Sequence, residues 1–233
     1  MNWLFLTLLL LLFSDPAGDD HGTGIGYPRA DLYRQVGIAD LTGFEMQPVN
    51  GHWRLGFRLD RYPNPAGAPL GFSLAVVAVY LDTKPGGEEL LTGTGLKTPA
   101  GGGWDEAYLV SGWGAEKRTP AGDAQAAPSW SADGWIWIDT ALKERPRAYV
   151  VVGIYDPFKP WGFRPVIPGG GIWYLDGPAD APRALDVIAD DQTLVWRSGV
   201  LPPAQKSLPL RSWLARALAL VGTGLVGLGW FKR

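Results

Sequence analysis

Glycine and proline interrupt the middle of this chain so often that no long helix fits between them. The 233 residues include 32 Gly and 20 Pro, and punctuation of that density leaves short extended elements joined by turns. The length allows one large all-β domain or two small ones, and a single core is the expectation. A formal charge of −2, with no block of Lys or Arg outside the C-terminus, gives a polyanion nothing to grip, so nucleic acid is not an expected partner. Cysteine is absent, which removes disulfides, zinc–thiolate sites, iron–sulfur clusters and thiol nucleophiles together.

The two ends differ from the middle. Residues 3–13 form a nearly unbroken apolar run that meets a polar turn at Ser14-Asp15-Pro16. The run is short for a bilayer and has the shape of a secretory signal, so residues 1–14 are read as a signal peptide. No Lys or Arg precedes the run and no Ala-x-Ala site follows it, which keeps an uncleaved anchor as the other reading. Residues 213–231 are apolar and end on Lys232 and Arg233. At the helical rise this stretch spans about 28 Å, close to the hydrocarbon thickness of a membrane. Trp213 and Trp230 stand where interfacial aromatics belong. The segment is read as a transmembrane helix, or as a sorting helix removed after export, followed by a basic tail at 232–233. The expected organisation is completed by a β-sandwich ectodomain over 15–197 and a Pro-rich linker over 198–211. An exported protein follows, anchored to the membrane through its C-terminal helix, with the ectodomain on the extracytoplasmic face.

Within the ectodomain, residues 52–60 alternate apolar and polar, the signature of a half-exposed strand. Residues 72–82 and 149–155 are apolar on both parities and are expected side by side at the centre, covered on both faces. Further strands are predicted over 41–49, 106–113, 134–138, 172–175 and 184–188, with 118–131 as a surface loop. That spacing of short strands fits a β-sandwich.

Three groups of residues bear on chemistry. Asp15, Asp19 and Asp20 crowd a turn-forming segment, and hard oxygen ligands on a loop suit Ca²⁺, although a solvated polar turn explains the same residues. The chain carries 12 Trp; Trp104, Trp130 and Trp161 lie in Gly- and Pro-rich segments and are the candidates for stacking against sugar rings. Trp135 and Trp137 share one strand parity and form either a sugar platform or an inward pair. The third group is what is missing. No nucleophile elbow, zinc-protease helix or P-loop is present. The neighbouring carboxylates Asp105/Glu106 and Glu88/Glu89 point to opposite faces of a strand and do not converge for glycoside hydrolysis. A non-enzymatic role is expected.

Several landmarks, in order, resemble the glucodextranase C-terminal domain family, also found appended to pullulanase-type amylolytic enzymes. They are Asp15-Pro-Ala-Gly-Asp-Asp-His-Gly, Gly26-Tyr-Pro28, Asp40-Leu-Thr-Gly-Phe-Glu45, Gly71-Phe-Ser73 and Val79-Tyr-Leu-Asp82. Further along come Trp104-Asp105, Gly112-Trp113-Gly114, Tyr155-Asp156, Phe163-Arg164-Pro165 and Ala184-Leu-Asp-Val187. The resemblance implies a single β-sandwich of the carbohydrate-binding-module and DOMON-like kind. It also implies a non-catalytic role at the cell envelope and a Ca²⁺ site at the acidic opening motif. The expected function is carbohydrate binding to a cell-wall, surface-layer or α-glucan polymer. An interaction or structural module packed on an envelope protein is the alternative. A third reading is a haem or redox domain, with His21 or His52 and Met46 as axial ligands.

Overall fold

The computed structural model describes residues 11–204. In chain order the strands are β1 (Leu11–Ser14), β2 (Leu41–Val49), β3 (His52–Leu59), β4 (Ala75–Asp82), β5 (Leu90–Leu91), β6 (Leu96–Lys97), β7 (Glu106–Ser111) and β8 (Gly114–Arg118). They continue as β9 (Ala124–Ala127), β10 (Ser129–Ala132), β11 (Trp135–Asp139), β12 (Arg147–Ile154), β13 (Val166–Ile167), β14 (Leu175–Asp176) and β15 (Asp186–Val187). One short helix, α1 (Gln192–Ser198), follows. The expected all-β class holds, and two sheets dominate. The first has five strands in the order β1-β2-β3-β11-β10, the second six in the order β15-β12-β4-β7-β8-β9.

The alternation in the sequence explains how the sheets meet. In β3 and β11 the apolar parity, Leu55, Phe57, Ile136 and Ile138, faces inward with Phe44 and Met46 of β2. It packs against Val77, Val79, Val150 and Val152 of the second sheet. The opposite parity of β4 and β12 is equally apolar and carries a second core of its own. There Val76, Ala78, Tyr80, Tyr149 and Val151 are covered by Leu91, Leu96, Trp104, Phe163, Val195 and Leu201. Loops and α1 therefore form a third layer over the second sheet, which is why these two strands read as unbroken apolar runs.

Several boundaries differ from those expected. Residues 11–14, assigned to the signal segment, form β1, which pairs with β2 from Leu11↔Met46 to Ser14↔Gly43. Phe13 is buried and stacks on Phe44 with ring centroids 5.7 Å apart. A cut that keeps the sheet whole falls before Leu11. The stretch 118–131 is a pair of strands rather than a loop: β9 extends the second sheet and β10 joins the first, with Pro128 between them. Its Ala-rich residues lie exposed or half-exposed at a sheet edge and so lack apolar alternation. Of 172–175 only Leu175 enters a strand, and Ile172 and Trp173 stay exposed. The first half of the expected linker is packed down. Leu201 N–H donates to Lys97 O, Ala204 N–H donates to Ala148 O, and Leu201 is fully buried. The expected helix at 213–231 and the apolar residues 3–10 lie outside the described residues. Among the described residues no helix is long and apolar enough to cross a membrane.

The described chain enters and leaves at one end of the sandwich. Ala204 sits beside Ala148 at the start of β12. Leu11 pairs with Met46, next to the row Gln47–Arg54–Asp139 that ends where residues 140–146 lead into β12. The turn between β7 and β8 and the residues after Ile154 lie at the other end, since Ser111 pairs with Val76 and Val76 with Gly153.

Phe13→Ala should lower unfolding stability by about 3–5 kcal/mol, the usual cost of emptying a buried aromatic site. Urea denaturation followed by tryptophan fluorescence measures it, and an unchanged midpoint would show that residues 11–14 are no part of the fold.

Candidate metal centre and aromatic groove

The acidic opening segment runs back along the sheet end after β1, and a strand and a helix from the far end of the chain meet it there. Carboxylate oxygens of Asp15, Asp19 and Asp186 lie within 4.8 Å of one another. That is the span of two Ca–O bonds of roughly 2.4 Å set end to end. Asp186, in β15, is fully buried; it accepts from Leu41 N–H at 2.6 Å and Val187 N–H at 2.7 Å. Gln192 opens α1, and its Nε2 lies 3.2 Å from Asp15, 3.1 Å from Asp19 and 2.9 Å from Asp186. Two amide protons cannot serve three carboxylates fully. Asp19 Oδ1 and Gln192 Oε1 are buried with no partner. Turning the Gln192 amide through half a revolution would place that oxygen among the carboxylates as a fourth ligand.

The electrostatics point the same way. Burial, then the neighbouring Asp19 charge, lifts the Asp15 carboxyl from its ordinary 3.8 to about 7. Burial and the Asp15 charge push Asp186 well up, and burial raises Asp19. Nearby Asp40 is raised by burial to about 6, although Gly18 N–H donates to its carboxylate at 2.5 Å. These oxygens hold either protons or a cation. The donor set is all oxygen, which fits Ca²⁺ better than a metal that prefers nitrogen or sulfur.

Asp15 and Asp19 of the expected trio thus meet, but Asp20 does not join them. Its carboxylate is buried and accepts the hydroxyl of Tyr27, with His21 3.7 Å away. Adjacent residues in the turn cannot all aim at one point, and Asp186 takes the third place. A signal for Asp186 was present: a lone carboxylate inside the apolar run Ala184-Leu-Asp-Val-Ile188 demands a partner.

The three expected sugar-stacking residues part company. Trp104 is fully buried, donates Nε1–H to Leu90 O at 2.8 Å and packs edge-on against Tyr80 and Trp161. Its Gly-rich flanks signalled close packing rather than exposure: a Cβ on Gly103 would sit 2.4 Å from Gly86 O. Trp161 is half-buried, stacked on Tyr80 with the Arg118 guanidinium 5.3 Å from its ring. Trp130 is half-exposed on β10 under Arg54. Of the haem ligands considered, Met46 points into the inter-sheet core and His52 to the outer face of the same sheet, so the two cannot share one haem. Asp105 caps the amides of Thr83 and Lys84, while Glu106 binds Tyr108 and Lys117.

A more open indole lies elsewhere. Trp113 sits in the tight β7–β8 turn, 50% exposed, and stacks on Tyr155 at 5.4 Å. Gly112 permits that turn because a Cβ there would stand 1.5 Å from Phe72 O. Together the two rings wall a groove of about 530 Å³, completed by Glu116, Arg118, Phe158 and Lys159. Arg164, 1% exposed, fixes the wall from behind. It donates to Tyr155 O at 2.6 Å, Tyr33 Oη at 2.5 Å and Trp173 O at 3.1 Å, with its guanidinium 3.5 Å from the Trp173 ring. Burial lowers its pKa.

Residues 10–206 match the family described as the C-terminal binding module, SLH-like, of glucodextranase. The chain belongs to that family. The match takes in β1 and the packed residues up to Ala204, in agreement with the structural boundaries. No significant match to a curated protein is found.

In the metal-free protein the raised carboxyl of Asp15 holds its proton better folded than unfolded. Its contribution to stability is therefore present below about pH 4 and lost as the pH rises towards 7. In EDTA the melting temperature should fall across that window, and Asp15→Asn should flatten the fall; thermal scans at stepped pH measure both.

Proposed function

We propose that this chain is a non-catalytic, cell-surface carbohydrate-binding module that takes its ligand in the Trp113–Tyr155 groove. The observation that carries this reading is a half-exposed indole backed by a second ring on the wall of a groove rimmed by Glu116, Arg118 and Lys159. A pyranose stacks its C–H face on an indole while charged side chains bind its hydroxyls. Membership in a binding-module family supports it. The groove lies at the end opposite the points where the described chain enters and leaves. With residues 213–231 in a membrane, the groove faces away from it and towards cell-wall, surface-layer or α-glucan polymers.

Affinity electrophoresis of the full chain through gels containing dextran, amylopectin or cell-wall polysaccharide tests the proposal. Trp113→Ala should weaken retention roughly three- to tenfold, the worth of one aromatic stack. Retention on none of these polymers would defeat the reading. It would leave docking of an envelope protein, which the exposure of Phe158 (81%) and Ile172 (76%) favours.

The same proposal assigns Ca²⁺ to Asp15, Asp19 and Asp186, with Gln192 Oε1 as the fourth oxygen. The ion's part is structural, joining the opening loop to α1. Ca²⁺ at about a hundred times its Kd should raise the melting temperature by roughly 5–10 °C, and EDTA should reverse the rise. An identical melting curve in both would remove the ion.

A further inference from the structure

The outer face of the first sheet carries an array of half-exposed rings that the groove does not use. Trp135 and Trp137 stand on the outward parity of β11, alternating with the core residues Ile136 and Ile138. Their rings lie 5.6 Å apart and within 25° of parallel. They lean over the sheet because glycines make room for them. Three ring atoms of Trp137 lie 2.5–3.0 Å from where a Gly56 Cβ would be, so the ring rests on the strand backbone. The tip of Trp135 reaches the equivalent point at Gly43, 3.1 Å away. The register places Glu45, Gly56, Trp137 and Trp130 in one cross-strand row, and Gln47, Arg54 and Asp139 in the next. Arg54 covers Trp130 at 4.7 Å and bonds Asp139 at 2.7 Å, and Arg58 covers Trp135 at 5.5 Å.

We infer that this face is a second polysaccharide-binding surface, for an extended, flat, uncharged chain. A broad sheet face of half-exposed indoles and the guanidinium planes over them suits successive pyranose rings lying along it, whereas the groove holds a short stretch. Guanidinium, carboxylate and amide groups between the rings match vicinal hydroxyls. Arg54 is paired with Asp139, and the face also carries one acidic Glu45 against one Arg58, so its formal charges cancel and it complements a neutral polymer. The groove opens on the far side of the second sheet, where Leu109 belongs to the outer core. The two surfaces therefore look in opposite directions, and one molecule can hold two chains. This second surface deepens the carbohydrate reading and is separable from it.

Depletion of the full chain onto microcrystalline cellulose and onto chitin, alongside electrophoresis in dextran, is the test. Trp137→Ala and Trp130→Ala should each cut retention on the flat polymers roughly three- to tenfold and leave dextran affinity unchanged, while Trp113→Ala does the reverse. Trp130 lies on edge strand β10, so its removal leaves the core covered; unchanged melting of that variant guards against misfolding. Wild-type protein that binds neither cellulose nor chitin overturns the second surface, as does retention that survives both platform substitutions. Loss of all binding on Trp113→Ala alone also overturns it and leaves the groove reading standing. Cellulose binding lost only with the platform substitutions, in a protein that ignores dextran, amylopectin and cell-wall polysaccharide, would instead defeat the groove.

Discussion

Burial of the second sheet on both faces is the constraint from which the rest follows. β4 and β12 are apolar on both parities, so one sheet packed against them leaves half their surface wet. The chain covers that half with irregular segments, and covering loops bring backbone polar groups that must be paired locally. Trp104, Phe163 and Leu201 are the apolar plugs of this layer, while Thr94, Asp156 and Arg164 bind its backbone. The groove is a product of the same layer: it opens where the cover stops short of β8 and β9, beside Trp113.

The acidic cluster solves a second problem, how to fasten both extremities of a cysteine-free fold. β1 is an edge strand of four residues and α1 has two turns, neither stable alone. Asp15, directly after β1, and Gln192, the first residue of α1, bring oxygen-bearing side chains to Asp186. A network of this kind is stabilising only when every buried charge is matched, and the unpartnered atoms Asp19 Oδ1 and Gln192 Oε1 mark where matching is incomplete. His21 lies beside Asp20 at 3.7 Å rather than among these carboxylates.

The sequence made the central strands legible because periodicity reports burial. Residues 41–49 and 52–59 show it plainly, and the two-sided apolar runs gave away the middle of the second sheet. What stayed hidden had no periodic signal. β9 and β10 are Ala- and Ser-rich edge strands held by backbone bonds, and β1 hid inside an apolar run that looked like part of a signal. Helix α1 was announced only by Asp191 before it and Gly199 after it, the latter in the left-handed conformation at φ 68°. At the site, Asp15 and Asp19 were readable as a local cluster. Asp186 stood out only as a lone carboxylate in an apolar run, and nothing local reveals that its partners, Gln192 among them, gather from across the chain. Exposure of tryptophans was misread for Trp104 since glycine marks close approach of chains as often as it marks an open loop.

Asp15 and Gln192 are separated by 177 positions. A nascent chain leaving a ribosome or a translocation pore cannot close this contact until almost all of it has emerged, and loop closure over that distance is slow. Until then Asp15 and Asp19 lack Gln192, although Gly18 can already bond Asp40 and Tyr27 can bond Asp20. Closure is thus a late step of folding, since residues 186 and 192 must both be available before the opening loop is fastened to them.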